Sequence, residues 1–338
     1  MAGVIEVQEF GGPEVLKWAE AGEPGPRPGE AVVAAGVADV LFIDTAIRAG
    51  RASQWFPVQP PYVPGTGLAG VVTAAGAGVE PGLVGQRVAT RTGDGNGTGG
   101  YVERAVVPAG QLIPVPDGVS LTDAVGVMSD GATALGLMNG TGVRDGEWVL
   151  ILGAAGGLGL LLTQLARAAG GRVVAALRMA GSAQGEQKAQ MVRAAGAEAV
   201  VDYSDPGWTA RVSALTGGAG PAVVFDGAGG SLGVAAFAIT AAGGRFSAHG
   251  APSGGFAPVD RDEAAQRGIT VTGIEAVQFS PEGHEKLTAQ ALDEVAAGRL
   301  RPFVGQTYPL ERAADAHRGL EARTAVGKTL LIVDGAAA

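Results

Sequence analysis

From Val4 to about Pro116 the apolar residues fall in short runs rich in valine and glycine. Between them lie loops such as Glu23-Pro24-Gly25-Pro26-Arg27-Pro28-Gly29 and Pro60-Pro61-Tyr62-Val63-Pro64-Gly65, and this pattern predicts a mostly β domain. Helical spacing of apolar residues appears only around Asp44 to Gly50 and from Leu121 to Asn139, the latter with Ser120 as its N-cap. Beyond that helix the rhythm changes. Apolar runs at Trp148–Leu152, Arg172–Leu177, Ala199–Val201, Ala222–Phe225, Gly244–Ala248 and Ile269–Ile274 alternate with helical stretches. Six strands alternating with helices predict a parallel sheet covered on both faces, the doubly wound α/β architecture. The tail, Arg301 to Val333, reads strand, helix, strand. It fits either an extra layer of that sheet or a return to the first domain.

Composition narrows the function classes. A chain of 338 residues has room for about two domains, and with 46% apolar and 17% charged residues it has a core to bury. The 58 glycines follow no three-residue period, so they mark turns rather than collagen. A net charge of −9 without any Lys/Arg run argues against nucleic acid or an anionic membrane as partner. The absence of cysteine removes disulfides, iron–sulfur clusters, thiolate catalysis and sulfur-ligated zinc. Met1 to Phe10 lacks the features of a signal peptide, and the longest uncharged apolar run, Trp148 to Thr163, is too short for a membrane span and holds four glycines. A soluble, cytoplasmic protein is the expectation.

The candidate chemistry lies where strand Trp148–Leu152 runs into Gly153-Ala154-Ala155-Gly156-Gly157-Leu158-Gly159 and then an apolar helix. Residues without a Cβ let a pyrophosphate approach the backbone, and the helix N-terminus offers free N–H groups and a favourable dipole. The same glycines would also serve a tight turn that packs helix on strand; their place in the first βαβ unit favours the phosphate. An NAD enzyme carries Asp or Glu at the end of the second strand to bind the ribose 2′-hydroxyl. Arg178 stands there instead. A guanidinium suits a 2′-phosphate, which points to NADPH, with Lys188 and Tyr203 as further candidates to reach it; the same arginine also reads as a solvated loop residue. The three histidines, His249, His284 and His317, are isolated and form no metal spacing. Only His249 ends a strand at the carboxyl edge of the sheet, as a coenzyme-side residue or as a loop histidine bonded to backbone.

These residues resemble the medium-chain dehydrogenase/reductase superfamily, in its zinc-independent quinone oxidoreductase and enoyl reductase branch. The resemblance covers nearly the whole chain. It rests on Phe42-Ile43-Asp44-Thr45 with Arg48 and Gly50, on Pro64-Gly65-Thr66-Gly67-Leu68-Ala69-Gly70, on the glycine turn, and on Phe225-Asp226-Gly227-Ala228-Gly229. It implies a GroES-like β domain, 1–123 completed by 277–338, and a Rossmann NADPH-binding domain over 124–276, with the active site in the cleft between them. It further implies that Ala155, Gly156, Gly157 and Leu158 bind the coenzyme, that Lys188 and Tyr203 serve the 2′-phosphate, that Thr133 lies near the nicotinamide, and that Ala228, His249 and Gly250 line the coenzyme.

Two departures bear on catalysis. The zinc ligands of other branches are missing, which disfavours metal-dependent alcohol oxidation. Leu41 and Ala46 stand where many relatives carry asparagine and tyrosine. With Trp55, Phe56 and Tyr62 nearby in the chain, Leu41 suggests a roomy apolar substrate pocket. The expected function is metal-free hydride transfer from NADPH to a quinone or α,β-unsaturated carbonyl compound, with Asp44 and His249 as candidate acids. Asp44 also reads as a carboxylate that bonds loop amides. The rivals are an enoyl-thioester or biosynthetic tailoring reductase and a non-catalytic NADPH-binding sensor. A homodimer paired through the edge strand at Ile269–Ile274 is also expected.

Overall fold

The computed structural model describes residues 1–93, 99–179 and 183–333. The chain forms two compact units, Met1–Ser129 with Thr288–Ala338, and Asp130–Leu287. In chain order the first stretch holds β1 (Ala2–Val7), β2 (Leu16–Ala21), β3 (Glu30–Val40), α1 (Phe42–Arg48), β4 (Gly67–Ala75), β5 (Arg87–Arg91), β6 (Arg104–Pro108), β7 (Ile113–Pro114) and α2 (Leu121–Thr141). Next come β8 (Trp148–Leu152), α3 (Gly157–Ala168), β9 (Arg172–Leu177), α4 (Ala183–Ala194), β10 (Ala199–Asp202), α5 (Trp208–Leu215), β11 (Val223–Asp226), α6 (Gly230–Ala238), β12 (Arg245–Ala248), α7 (Arg261–Gln266) and β13 (Thr270–Thr272). The chain closes with α8 (Pro281–Ala296), β14 (Val304–Pro309), α9 (Ala313–Glu321) and β15 (Lys328–Ile332).

The first unit is built on the sheet β14-β15-β3-β4-β5-β7, with β6 pairing β3. Its core runs from Ile5 and Val7 through Val33, Leu68 and Tyr101 to Leu331. The tail is therefore a return to this unit: β15 lies antiparallel on β3, and β14 runs parallel to β15. A buried ion pair pins that register, Lys328 Nζ lying 2.6 Å from Asp39 Oδ1. At the start of α2, Ser120 Oγ accepts from the Asp123 N–H at 3.0 Å and donates to its carboxylate at 2.8 Å, an N-cap that satisfies an otherwise unpaired amide.

The second unit carries a six-stranded sheet in the order β10-β9-β8-β11-β12-β13, every pair parallel. Its strands read as continuous apolar runs because helices cover both faces; Leu150, Val174, Val224 and Phe246 are fully buried. The strand order reverses between β8 and β11, and ligands of such sheets bind at the carboxyl ends beside that reversal. β13 is an edge of the sheet. Among the described residues, no helix is long and apolar enough to cross a membrane.

Candidate functional site

The turn after β8 assigns each glycine a separate task. Gly153 adopts φ +71°, a left-handed conformation that side chains disfavour. Gly156 is exposed and caps α3 in extended geometry with no side chain over it, so the first N–H groups of the helix lack a side-chain partner. Gly159 is the packing glycine: a Cβ there would lie 2.6 Å from Ala154 Cα and from the Gly153 carbonyl oxygen. The result is an open helix N-terminus seated tightly on the first strand, a natural anion site. Ala155 is buried, and Gly157 and Leu158 are half-buried at the same turn.

Arg178 follows directly on β9 and is exposed. The loop behind it is held by Asp202 at the end of β10, whose Oδ1 accepts from the N–H groups of Met179 at 3.1 Å and Ser204 at 2.9 Å. Burial works to raise the pKa of Asp202, but the Ser204 and Met179 bonds and the Arg178 charge outweigh it and hold the carboxyl below its usual range. Tyr203 is half-buried against the core of this unit, with its N–H on the Leu177 carbonyl at 3.1 Å. Lys188 lies half-buried on α4, and Thr133 half-buried on α2.

The loops after β11 and β12 lie on one another backbone to backbone. A Cβ on Gly250 would come within 2.2 Å of the Gly227 carbonyl group, and one on Gly227 within 2.8 Å of the Leu152 carbonyl oxygen. Ala228 and His249 are buried in these loops. His249 Nδ1 lies 3.1 Å from Ser247 Oγ, and burial lowers its pKa to about 4. The ring is neutral at physiological pH. Thus the sheet brings the glycine turn, Ala228, His249 and Gly250 to its carboxyl edge in one unit.

Asp44 sits in the other unit, on α1, 2% exposed. Its Oδ2 accepts from the Leu41 N–H at 2.8 Å and from the Tyr101 hydroxyl at 3.4 Å, and Tyr101 also lies 3.0 Å from His317 Nε2. Burial is the chief cause that pushes the Asp44 carboxyl up to about 7, against the Leu41 bond. Burial, aided by the charge of Arg48, lowers the His317 pKa to about 3. A neutral His317 protonated on Nε2 lets the tyrosine oxygen accept from the ring while its hydroxyl donates to Asp44. Next to this chain, buried Arg48 reaches Glu321 at 2.5 Å. Tyr62 is buried in the core of this unit, Leu41 and Phe56 are half-buried, and Trp55 is 55% exposed. Tyr101 and Glu321 carry no mark in the sequence, and His317 stands there only as an isolated histidine.

The described residues form no site that fits a zinc ion. Among the described residues, no group of three or more His, Cys, Asp or Glu is placed to hold a metal, and the chain has no cysteine.

Residues 27–117 match the alcohol dehydrogenase GroES-like domain family, and residues 195–331 match the family described as zinc-binding dehydrogenase. A GroES-like β unit joined to a Rossmann sheet with an open glycine turn defines the medium-chain dehydrogenase/reductase class of oxidoreductases. The chain is 33% identical to a quinone oxidoreductase of Pseudomonas aeruginosa, covering 98% of this chain and 100% of that one. It is 32% identical to a 2-haloacrylate reductase of a Burkholderia species, covering 98% of both. A mycobacterial protein solved in complex with NADPH superimposes with a TM-score of 0.86 at 35% identity, over 98% of this chain and 99% of that one. The chain belongs to the zinc-independent quinone oxidoreductase branch of the medium-chain superfamily.

Proposed function

We propose that the protein is an NADPH-dependent, metal-free reductase of quinones and α,β-unsaturated carbonyl compounds. The observation that carries this reading is the open glycine turn followed, one strand later, by exposed Arg178 in place of an acidic residue. Bound NADPH supplies the hydride. The chain's own residues do the rest. The N–H groups of Gly157 and Leu158 hold the pyrophosphate beside Ala155 and Gly156, whose own N–H is taken by the Gly153 carbonyl at 3.1 Å; Arg178 with Lys188 and Tyr203 holds the 2′-phosphate, and Thr133, Ala228, His249 and Gly250 line the coenzyme. A relative named for reduction of 2-haloacrylate, an α,β-unsaturated acid, is consistent with an activated alkene as acceptor.

Protonation falls to solvent in this reading. Asp44 is 2% exposed and already accepts two hydrogen bonds on Oδ2, and His249, with a pKa lowered to about 4, is a poor donor near neutral pH. Both candidate acids then act as supports of their loops. A quinone or conjugated enone, reduced to a delocalised oxyanion, tolerates this; an enoyl thioester profits more from a placed acid. Half-buried Leu41 and Phe56 and exposed Trp55 supply apolar contacts to the substrate. A second copy of the chain pairs along the edge strand β13, and a one-protomer mass in solution would exclude that pairing.

The test is oxidation of NADPH and of NADH by the purified protein, with a quinone, an enone and an enoyl thioester as acceptors. Arg178→Ala is expected to raise the KM for NADPH by roughly 10- to 100-fold, the worth of a charge-assisted phosphate contact, and to leave NADH unchanged. Equal use of both coenzymes by the unaltered protein would refute the role of Arg178. Turnover of the thioester alone would move the substrate to that class, and binding without turnover of any acceptor would leave a coenzyme-binding sensor.

A further inference from the structure

Asp226, the last residue of β11, is fully buried in a polar arrangement that no step above uses. Its Oδ1 accepts from two successive backbone amides, Ala228 at 3.0 Å and Gly229 at 2.8 Å. Its main-chain carbonyl accepts from two more, His249 at 3.2 Å and Gly250 at 2.9 Å, on the loop after β12. The two loops are also laced directly: the Ser253 N–H donates to the Ala228 carbonyl at 2.9 Å. The other carboxylate oxygen, Oδ2, is buried against Gly233 on α6, where a Cβ would lie 2.1 Å from it. Only a residue without a side chain leaves room there for the carboxyl group. Glycine at 233 leaves room for this carboxylate and for Ala257 Cβ, 2.6 Å from the same added atom, and desolvation raises the pKa of the carboxyl group to about 6. Burying a carboxyl group at such a cost is stable only when its hydrogen bonds repay it.

We infer that Asp226 is a positioning residue for the coenzyme: its side chain and its carbonyl oxygen together hold the loops at 227–230 and 249–251 in one register. The inference rests on the coenzyme reading for its functional consequence, though the clamp itself is a property of the free protein. Because Ala228, His249 and Gly250 line the part of the site common to NADPH and NADH, loss of the clamp weakens both coenzymes by the same factor. Arg178→Ala, by contrast, separates them.

Two variants isolate the effect. Asp226→Asn keeps a carbonyl oxygen at the Oδ1 position, and Asp226→Ala removes it. In coenzyme-free protein, amide hydrogen exchange is expected to speed up by about tenfold or more at Ala228, Gly229, His249 and Gly250 in the alanine variant. In the asparagine variant the same amides should stay within about threefold of the unaltered protein. If the alanine variant does not fold, slow exchange at all four amides of the asparagine variant supports the clamp, and exposure of the second-loop amides in it overturns the clamp. Acceleration confined to Ala228 and Gly229, or none, also overturns it. Titration with both coenzymes then reads the function: a parallel loss of about tenfold for NADPH and NADH is expected in the alanine variant, and unchanged affinity for both refutes the positioning role. An unaltered protein that binds neither coenzyme refutes the proposed function instead, while the exchange data still decide the clamp.

Discussion

Gly159→Ala tests the glycine turn most directly. The added methyl would lie 2.6 Å from Ala154 Cα and 2.6 Å from the Gly153 carbonyl oxygen, both rigid backbone atoms. To reach ordinary contact the helix must retreat by about 0.8 Å. Overpacking of this kind costs about 1–3 kcal/mol, offset by about 0.5–1 kcal/mol because alanine favours the helix. The expected net loss is at most about 2.5 kcal/mol and centres near 1 kcal/mol, a fall in Tm of roughly 2–4 °C, and up to about 10 °C, for a unit of this size. The same retreat carries the N–H groups of Gly157 and Leu158 away from a bound phosphate, and at hydrogen-bond distances such a shift costs about tenfold or more in affinity. Thermal unfolding with and without NADPH, together with a coenzyme titration, reads both effects. Unchanged Tm and unchanged affinity would refute the packing argument and the phosphate site together. A lower Tm with unchanged affinity would keep the packing and move the phosphate elsewhere.

Two further outcomes concern buried charges. The folded pKa of Asp44, about 7, lies above its ordinary 3.8, so its contribution to stability is complete below about pH 4 and is lost as pH rises through 7. His249 and His317, lowered to about 4 and about 3 from 6.5, act in the opposite sense, stabilising above pH 6.5 and losing that contribution on acidification. Asp44→Asn should therefore gain on the unaltered protein as pH rises from 4 to 7 and hold level above, measured by urea unfolding; a constant gap across that range would disprove the assignment. Lys328→Met leaves the Asp39 carboxylate buried without its cation and should cost about 3 kcal/mol, whereas Lys328→Met combined with Asp39→Leu should recover most of it. Failure of the double variant to recover would show that Asp39 serves more than this pair.

The alternation of strands and helices after residue 148 was legible because covered parallel strands are uniformly apolar and the joining helices are not. All six strands appear within about two residues of their sequence positions. The glycine turn was legible for a related reason, since its three glycines answer requirements set within a few residues of each. The two readings left open for the tail resolve through contacts at long range, as β15 finds β3 nearly three hundred residues earlier in the chain.

The side-chain chemistry divides along the same line. Arg178 could be placed by counting, because its position follows from the end of one strand. The chain from Asp44 through Tyr101 to His317 could not, since its members lie 57 and 216 residues apart and no local period links them. That the Tyr62 ring is buried in the core while nearby Trp55 is exposed likewise follows from packing and not from local pattern. Asp226 stood in a recognisable motif without a task until two loops and a helix glycine closed around it. Local patterning encodes which residues form an element and which face turns inward, because those choices depend on neighbours one turn or one pleat away. Burial, the pKa shifts it causes and the pairing of distant polar groups depend on how whole elements pack, and that is decided only when the sheets assemble.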